Sequence, residues 1–287
     1  MKNKLFFSAL LAGILMLSAC SSNTSSDTES NSTTTTSDTG TAVEVIAPAE
    51  LSTESQTTED WKFRYDDQLD GIIIEECLCA DKSTDDRVST QDKDIVVPQT
   101  FDGFEGKQVL EIGGGAFRRI VCKSITLPDG LLYIDKNAFE RAEITVPLTI
   151  PQTVTDIGDE AFAYLKCETV ILPPIDTITM NMFDHANIVS ITIPPSVRTI
   201  EDFAFMHCDK LADVTFSEGL ETIGIEAFLY CVLYGKTIYL PSTLKSMPTT
   251  AFYHHFSDIT LVYKNTSYYI SEWEQYEMLV AAIEANA

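Results

Sequence analysis

Positive charge is what this chain has least of. Lys and Arg total 19 against 43 Asp and Glu, a net charge of −24 over 287 residues. Neutralising phosphates takes clustered Lys and Arg, so this balance argues against nucleic acid as a partner and against electrostatic docking onto anionic lipid. The familiar catalytic signatures are missing too. There is no HExxH, no GxSxG and no local Cys-His signature. Gly113-Gly114-Gly115 lacks the Lys-Ser/Thr of a phosphate-binding loop. Asp66-x-Gln68-x-Asp70-Gly71 opens like a calcium loop, but Cys77 stands where the Glu at position twelve belongs. Nothing here asks for a cofactor or a metal.

Long apolar runs are also lacking. The most hydrophobic stretch, Leu5 to Leu17 behind Lys2 and Lys4, would span about 20 Å as a helix, against roughly 30 Å of bilayer core. It reads as the h-region of an export signal, residues 1–19. It ends in Leu17-Ser18-Ala19-Cys20, which resembles the bacterial lipobox. The resemblance implies cleavage before Cys20 and attachment of acyl chains to its thiol. Two or more chains are what stable anchoring takes. The expected location is therefore outside the cell, tied to the membrane by lipid on Cys20. Residues 20–60 follow as a tether. Between 21 and 60 there is no Lys, Arg or aromatic residue, and half the positions are Ser or Thr. Such a segment buries too little apolar surface to offset its ordering entropy.

From Trp61 the texture changes. Alternating runs around Phe63, Tyr65 and Ile72–Ile74 predict strands, and residues 61–97 are assigned to an N-terminal β cap. Then one pattern repeats. Phe stands at 117, 139, 162, 183, 205, 228 and 252, at spacings of 21 to 24 residues, usually after Ala. Five positions earlier stands Ile112, Ile134, Ile157, Ile178, Ile200, Ile223 or Met247. Short strands end in Pro128, Pro151, Pro173, Pro194 and Pro241, where a missing N–H stops a ladder. Three markers in phase predict a solenoid in which like residues stack into columns.

The stretches SITIPPSVRTIEDFAFMHCDKL (190–211) and KTIYLPSTLKSMPTTAF (236–252) resemble the BspA-like leucine-rich repeats of bacterial surface proteins. The likeness covers about residues 95–263, with 61–94 also similar. It implies an α/β solenoid over 98–263, with one short strand plus one helical or 3-10 turn per repeat of 21 to 24 residues. Residues 264–287 are expected to close it with a helix over about 271–285. The signals are Ser271 and Glu274 in a capping-box spacing and apolar residues at helical intervals.

Two stripes are candidate contact surfaces. Thr126, Thr149, Ile171, Thr192, Thr215, Tyr239 and Thr260 are the middle outward residues of the strands, on the face opposite the core. Thr also favours strands for packing alone, so an exposed sheet with no ligand is the plain alternative. His185, His207 and His254 each follow their Phe by two, in a column that also holds Arg119, Arg141, Tyr164 and Tyr230. Such an edge packs against itself or contacts a partner. Of the cysteines after Cys20, Cys122, Cys167, Cys208 and Cys231 fall in apolar columns and read as buried filler, with a Cys208–Cys231 disulfide sterically conceivable. Cys77 and Cys79 share one strand face.

The chain is therefore read as a binding protein, not an enzyme. Its expected role is adhesion to, or recognition of, an extracellular protein or glycan, as the family resemblance implies. A structural component of the cell envelope without an external ligand is the second reading, and a thiol-dependent enzyme the third.

Overall fold

A computed structural model describes residues 55–78, 92–233, 235–253 and 258–287. The export signal, Cys20, most of the tether, Cys79 and His254 lie outside the described residues. The chain winds into coils stacked along one axis, with short stretches that pair into two parallel ladders along the stack and a third over its first coils. The first ladder pairs Asp94–Val96 with Ser124–Thr126, Leu148–Thr149 with Val170–Ile171, Ser190–Thr192 with Asp213–Thr215, and Thr237–Tyr239 with Thr260–Tyr263. The second runs from Val109–Ile112 through Tyr133–Ile134 to Asp156–Ile157, then from Thr177–Ile178 through Thr199–Ile200 to Thr222–Ile223. The third pairs Val121–Cys122 with Glu143–Ile144 and continues in a bridge from Glu143 to Lys166. Parallel pairing needs a crossover of a dozen or more residues. Here the rest of each coil is that crossover, which fixes the repeat length.

Alternation decides what the coils enclose. In Ser190–Thr192 only the central Ile191 is buried, and Thr237–Tyr239 buries only Ile238. The seven Phe side chains fill the middle, each no more than 2% exposed. Successive rings stack with centroids 5.0, 5.4, 5.3, 5.2, 5.0 and 4.8 Å apart. The Ile column and Met247 line the same core.

The α/β expectation is corrected here. Among the described residues the repeats contain no helical turn, and the single helix closes the chain. The segment around each Phe from Phe117 to Phe228 is instead a double turn. Two residues before and two after it, the backbone is left-handed: Asn137 and Arg141 at φ 57° and 60°, Asn181 and His185 at 54° and 57°, Phe203 and His207 at 61° and 56°. A left-handed residue every fourth position cannot continue a right-handed helix. It does redirect alternate amides along the axis. Phe139 donates to Ala161 O of the next coil at 2.8 Å and Arg141 donates to Ala163 O at 2.9 Å, while Ala142 closes its own turn on Phe139 O at 3.0 Å. The small residue before Phe is thus both a core filler and the acceptor for the coil before it.

The N-terminal end is a hairpin, Trp61–Asp66 with Gly71–Cys77, whose second strand then pairs in parallel with Val109–Ile112. Pairing begins before the Trp61 boundary, since Gln56–Thr57 pairs with Phe63 and Lys62. The calcium-loop look-alike is its turn: Asp66 Oδ1 accepts the amides of Gln68 and Leu69 at 3.0 and 3.1 Å. Asp94–Val96, inside the segment assigned to the cap, already belongs to the first ladder. At the other end, Thr260–Tyr263 turns through Lys264 and Asn265, both at positive φ, into Thr266–Tyr269. Two consecutive left-handed residues make the hairpin turn that matches strand twist.

The helix Trp273–Glu284 follows and buries Tyr276, Leu279 and Ile283. Its N-cap is Glu272 without a side-chain cap bond, so the Ser271 capping box is not formed. Tyr276 makes the decisive contact. Its hydroxyl accepts the amide of Phe252 at 2.9 Å, the donor that in earlier coils goes to the next coil.

Acidic residues gather beside the second ladder. Partial shielding from solvent, followed by Asp176, Asp135 and Asp159, holds the Asp156 carboxyl above its ordinary value. A raised carboxyl contributes stability below the unfolded-state value and loses it as pH rises through the folded one. Asp156→Asn should therefore stabilise the protein at neutral pH by about a few tenths of a kcal/mol. Thermal melts at low salt should show the gain, which shrinks with added salt and vanishes as pH falls through the carboxylate range.

Candidate functional site

The outward face of the first ladder is a flat strip with one middle residue per coil. Register places Val96 beside Thr126, Thr149 beside Ile171, Thr192 beside Thr215, and Tyr239 beside Val262. Thr260 is displaced from this row. It pairs with Thr237, two residues earlier on the strand, and Val262 takes the place assigned to it. No Pro ends that last strand, so the sequence offered no anchor for its register. Val96 was missed for a different reason. Asp94-Ile95-Val96-Val97-Pro98 has the same pattern as Ser124-Ile125-Thr126-Leu127-Pro128, but it precedes the first Phe of the series. The strip mixes hydroxyls with exposed apolar groups: Val96 is 65%, Ile171 48% and Tyr239 69% exposed.

The second stripe runs along the turns. Each of its described residues sits at the left-handed position after a Phe, including Arg119, Tyr164 and Tyr230 at φ 60°, 57° and 61°. The amide ladder holds these backbones one coil apart, which lays the side chains face to face. The Arg141 guanidinium lies 4.8 Å over the Tyr164 ring. Tyr164 stacks on His185 at 4.6 Å, His185 on His207 at 4.4 Å, and His207 on Tyr230 at 4.5 Å. His185 Nδ1 lies 2.8 Å from Asp184 Oδ1. Burial raises the Asp184 carboxyl above its ordinary value, against the opposing pull of His185 and His207.

At the Arg end of this stack lies a groove of about 360 Å³, lined by Arg119, Arg141, Tyr164 and His185 and by Glu143, Lys166 and Asn187. The last three come from the third ladder or its continuation. Sequence reasoning missed them because two-residue pairings carry no alternation long enough to set a register. Glu140, almost buried, braces the groove: Arg118 Nε is 2.8 Å from its Oε2 and Arg141 Nε 3.3 Å from its Oε1.

Cys122, Cys167, Cys208 and Cys231 are free thiols and buried. Cys208 and Cys231 point their sulfurs at the carbonyls of Phe183 and Phe205, at 3.1 and 3.2 Å, and are not joined as a disulfide. Burial pushes the Cys122 thiol up to about 12 and raises Cys167 and Cys208 as well. A nucleophilic thiol needs the opposite environment. Cys77 is disulfide-bonded. Among the described residues, no group of three or more His, Cys, Asp or Glu is placed to hold a metal ion, and no helix is long and apolar enough to cross a membrane.

Comparison with known proteins agrees with this architecture. No curated protein matches the chain. A leucine-rich cell surface protein from Faecalibacterium prausnitzii superposes with a TM-score of 0.54 at 22% identity, covering 76% of this chain and 59% of that one. A leucine-rich repeat protein from Bacteroides ovatus gives 0.42 at 20% identity, over 67% of this chain and 60% of that one. The T. pallidum leucine-rich repeat protein gives 0.37 at 19% identity, over 62% and 89%. The chain thus spans about 60% of the length of the first two structures. The F. prausnitzii likeness supports the fold. The model of the BspA type leucine rich repeat region matches in six copies, across residues 105–174 and 145–260. With the stacked Phe column and the parallel ladders, that match places the chain in the BspA-type leucine-rich-repeat family.

Proposed function

We propose that this protein is a surface-anchored recognition protein that binds an extracellular protein or glycan through the outward strip of its first ladder. The observation that carries the proposal is the strip itself, where Val96, Ile171 and Tyr239 stand exposed among threonines in regular register. Solenoids use such extended faces for binding because a neighbouring coil adds surface without changing its geometry. Interfaces favour aromatic anchors of the kind Tyr239 offers. The lipobox at Cys20 and the Ser/Thr-rich tether supply an anchor and a spacer. The cell-surface description of the F. prausnitzii protein supports the same location.

The chain from Cys20 onward should bind saturably to at least one member of a panel of extracellular-matrix proteins and bacterial-surface glycans. Thr192→Glu, Thr215→Glu and Tyr239→Glu combined should weaken that binding at least tenfold, roughly 1.4 kcal/mol or more. An unaltered melting temperature would show that the fold survives. Binding indifferent to these changes would remove the strip from the interface, and a silent panel would remove the adhesive role.

A structural role in the envelope has one observation behind it. Tyr269, Trp273 and Met278 are 52%, 50% and 58% exposed around the closing helix. Sedimentation equilibrium without any ligand separates the two readings, since only the structural one requires self-association.

A further inference from the structure

The groove beside the turn edge gathers positive charge in a chain whose net charge is −24. An anion approaching this protein meets long-range repulsion, so a local cluster of cations needs a local reason. Arg119 is exposed, and its guanidinium has no ion pair or side-chain hydrogen bond among the described residues. Arg141 is held in place from two sides, by Glu140 at 3.3 Å and by the Tyr164 ring at 4.8 Å. A guanidinium fixed in this way loses little freedom when its remaining N–H groups meet a ligand. Lys166 adds a third cation, paired with Glu143.

The rest of the lining narrows the ligand. No aliphatic residue faces the groove. Both faces of Tyr164 are covered, by Arg141 on one side and His185 on the other, so the ring offers an edge and a hydroxyl but no stacking platform. A flat apolar ligand gains nothing there. A bare inorganic anion would meet repulsion from Glu143. A ligand bearing both an anionic group and hydroxyls uses every group: the arginines, Lys166 and Asn187 for the anion, and Glu143 as an acceptor for hydroxyl donors. An extended acidic peptide fits less well. Its side chains on one face repeat about every 6.8 Å, against the 4.4 to 4.6 Å between stacked rings of successive coils.

We propose that this groove is a second binding site, distinct from the sheet strip, and that it takes an acidic sugar residue carrying a carboxylate or a sulfate. The inference rests on the reading of the chain as a binding protein but not on which face its main partner uses.

The test is calorimetric titration of the chain from Cys20 onward with four probes: an oligoglucuronate, a heparin-derived oligosaccharide, a neutral oligoglucose of equal length, and poly-glutamate. One or both acidic oligosaccharides should bind at least tenfold more tightly than the neutral one, and their ranking separates carboxylate from sulfate. Arg119→Gln and Lys166→Gln should each weaken binding severalfold and flatten its salt dependence. Glu143→Ala is the sharpest probe. It strengthens binding if charge alone is read, and weakens it if Glu143 accepts sugar hydroxyls. Equal binding of acidic and neutral oligosaccharides would overturn the proposal, as would a gain in Glu143→Ala. Poly-glutamate binding as tightly, and lost in the same variants, would make this an acidic-peptide site instead. Tyr239→Glu should leave the titration unchanged, which separates failure of this site from failure of the sheet strip.

Discussion

Phe183→Ala should destabilise the protein by about 3–5 kcal/mol, the range for emptying a fully buried aromatic site. Phe183 is fully buried at the centre of the column, between Phe162 at 5.3 Å and Phe205 at 5.2 Å. The substitution removes the ring from both contacts at once. The backbone around the site is tied to neighbouring coils on each side, through Phe162 N to Met182 O at 2.9 Å and Phe183 N to Ala204 O at 2.8 Å. Collapse into the cavity is therefore restricted. Stability in a stacked array is a sum of unit and interface terms, so a gap at the middle also weakens the link between the two halves. Urea unfolding followed by far-ultraviolet circular dichroism measures the loss, and Phe183→Leu should cost less than Phe183→Ala. A change below about 1 kcal/mol would mean that the column is not the core that holds the coils together.

The second large effect comes from adding one carbon. A Cβ on Gly224 would lie 2.6 Å from the backbone nitrogen of Asp202 and 2.6 Å from the carbonyl carbon of Glu201, and one on Gly158 would lie 2.5 Å from the backbone nitrogen of Lys136. These neighbours are main chain of the preceding coil and cannot rotate away. The glycines are also pinned to that same coil, since Gly158 and Gly224 donate to Ile134 O and Ile200 O, each at 2.8 Å. Gly224→Ala and Gly158→Ala should each cost about 1–3 kcal/mol through overpacking. Gly103→Ala serves as a control, because nothing lies within 4 Å of its Cβ, although its φ of 82° adds a backbone cost of its own. Melting curves that rank Gly103→Ala as the most damaging of the three would contradict this account.

The sequence made the columns plain for a physical reason. Phe, Ile and Pro each do one job that no other residue type does as well at that position, so their spacing survives every change of surface. The turns were hidden because their geometry is imposed from outside. Glu160, Phe203, Glu226 and Tyr230 sit at positive φ, where side chains usually cost about 1–2 kcal/mol, and nothing local announces it. Bonds to the next coil select that conformation over the helical one that the Ala-Phe spacing invites. The slip at Thr260 has a related cause, since its register depends on Tyr239 meeting Val262 across the sheet. The edge column could be read from its place after each Phe. The groove could not, because Lys166 and Asn187 reach it only once the coils are stacked.

Repeating structures carry a hazard that compact ones avoid. Whatever satisfies one rung is offered again at the last rung, and a second molecule could accept the offer. In this protein Tyr276 answers from within the same chain, its oxygen filling the seat that another coil would have taken beside Phe252. Burial pushes that phenol above its ordinary value, so it stays neutral across the physiological range. The filament that the pattern could build is thus brought to a halt at this rung by a phenol, while the Thr266–Tyr269 strand occupies the edge of the first ladder.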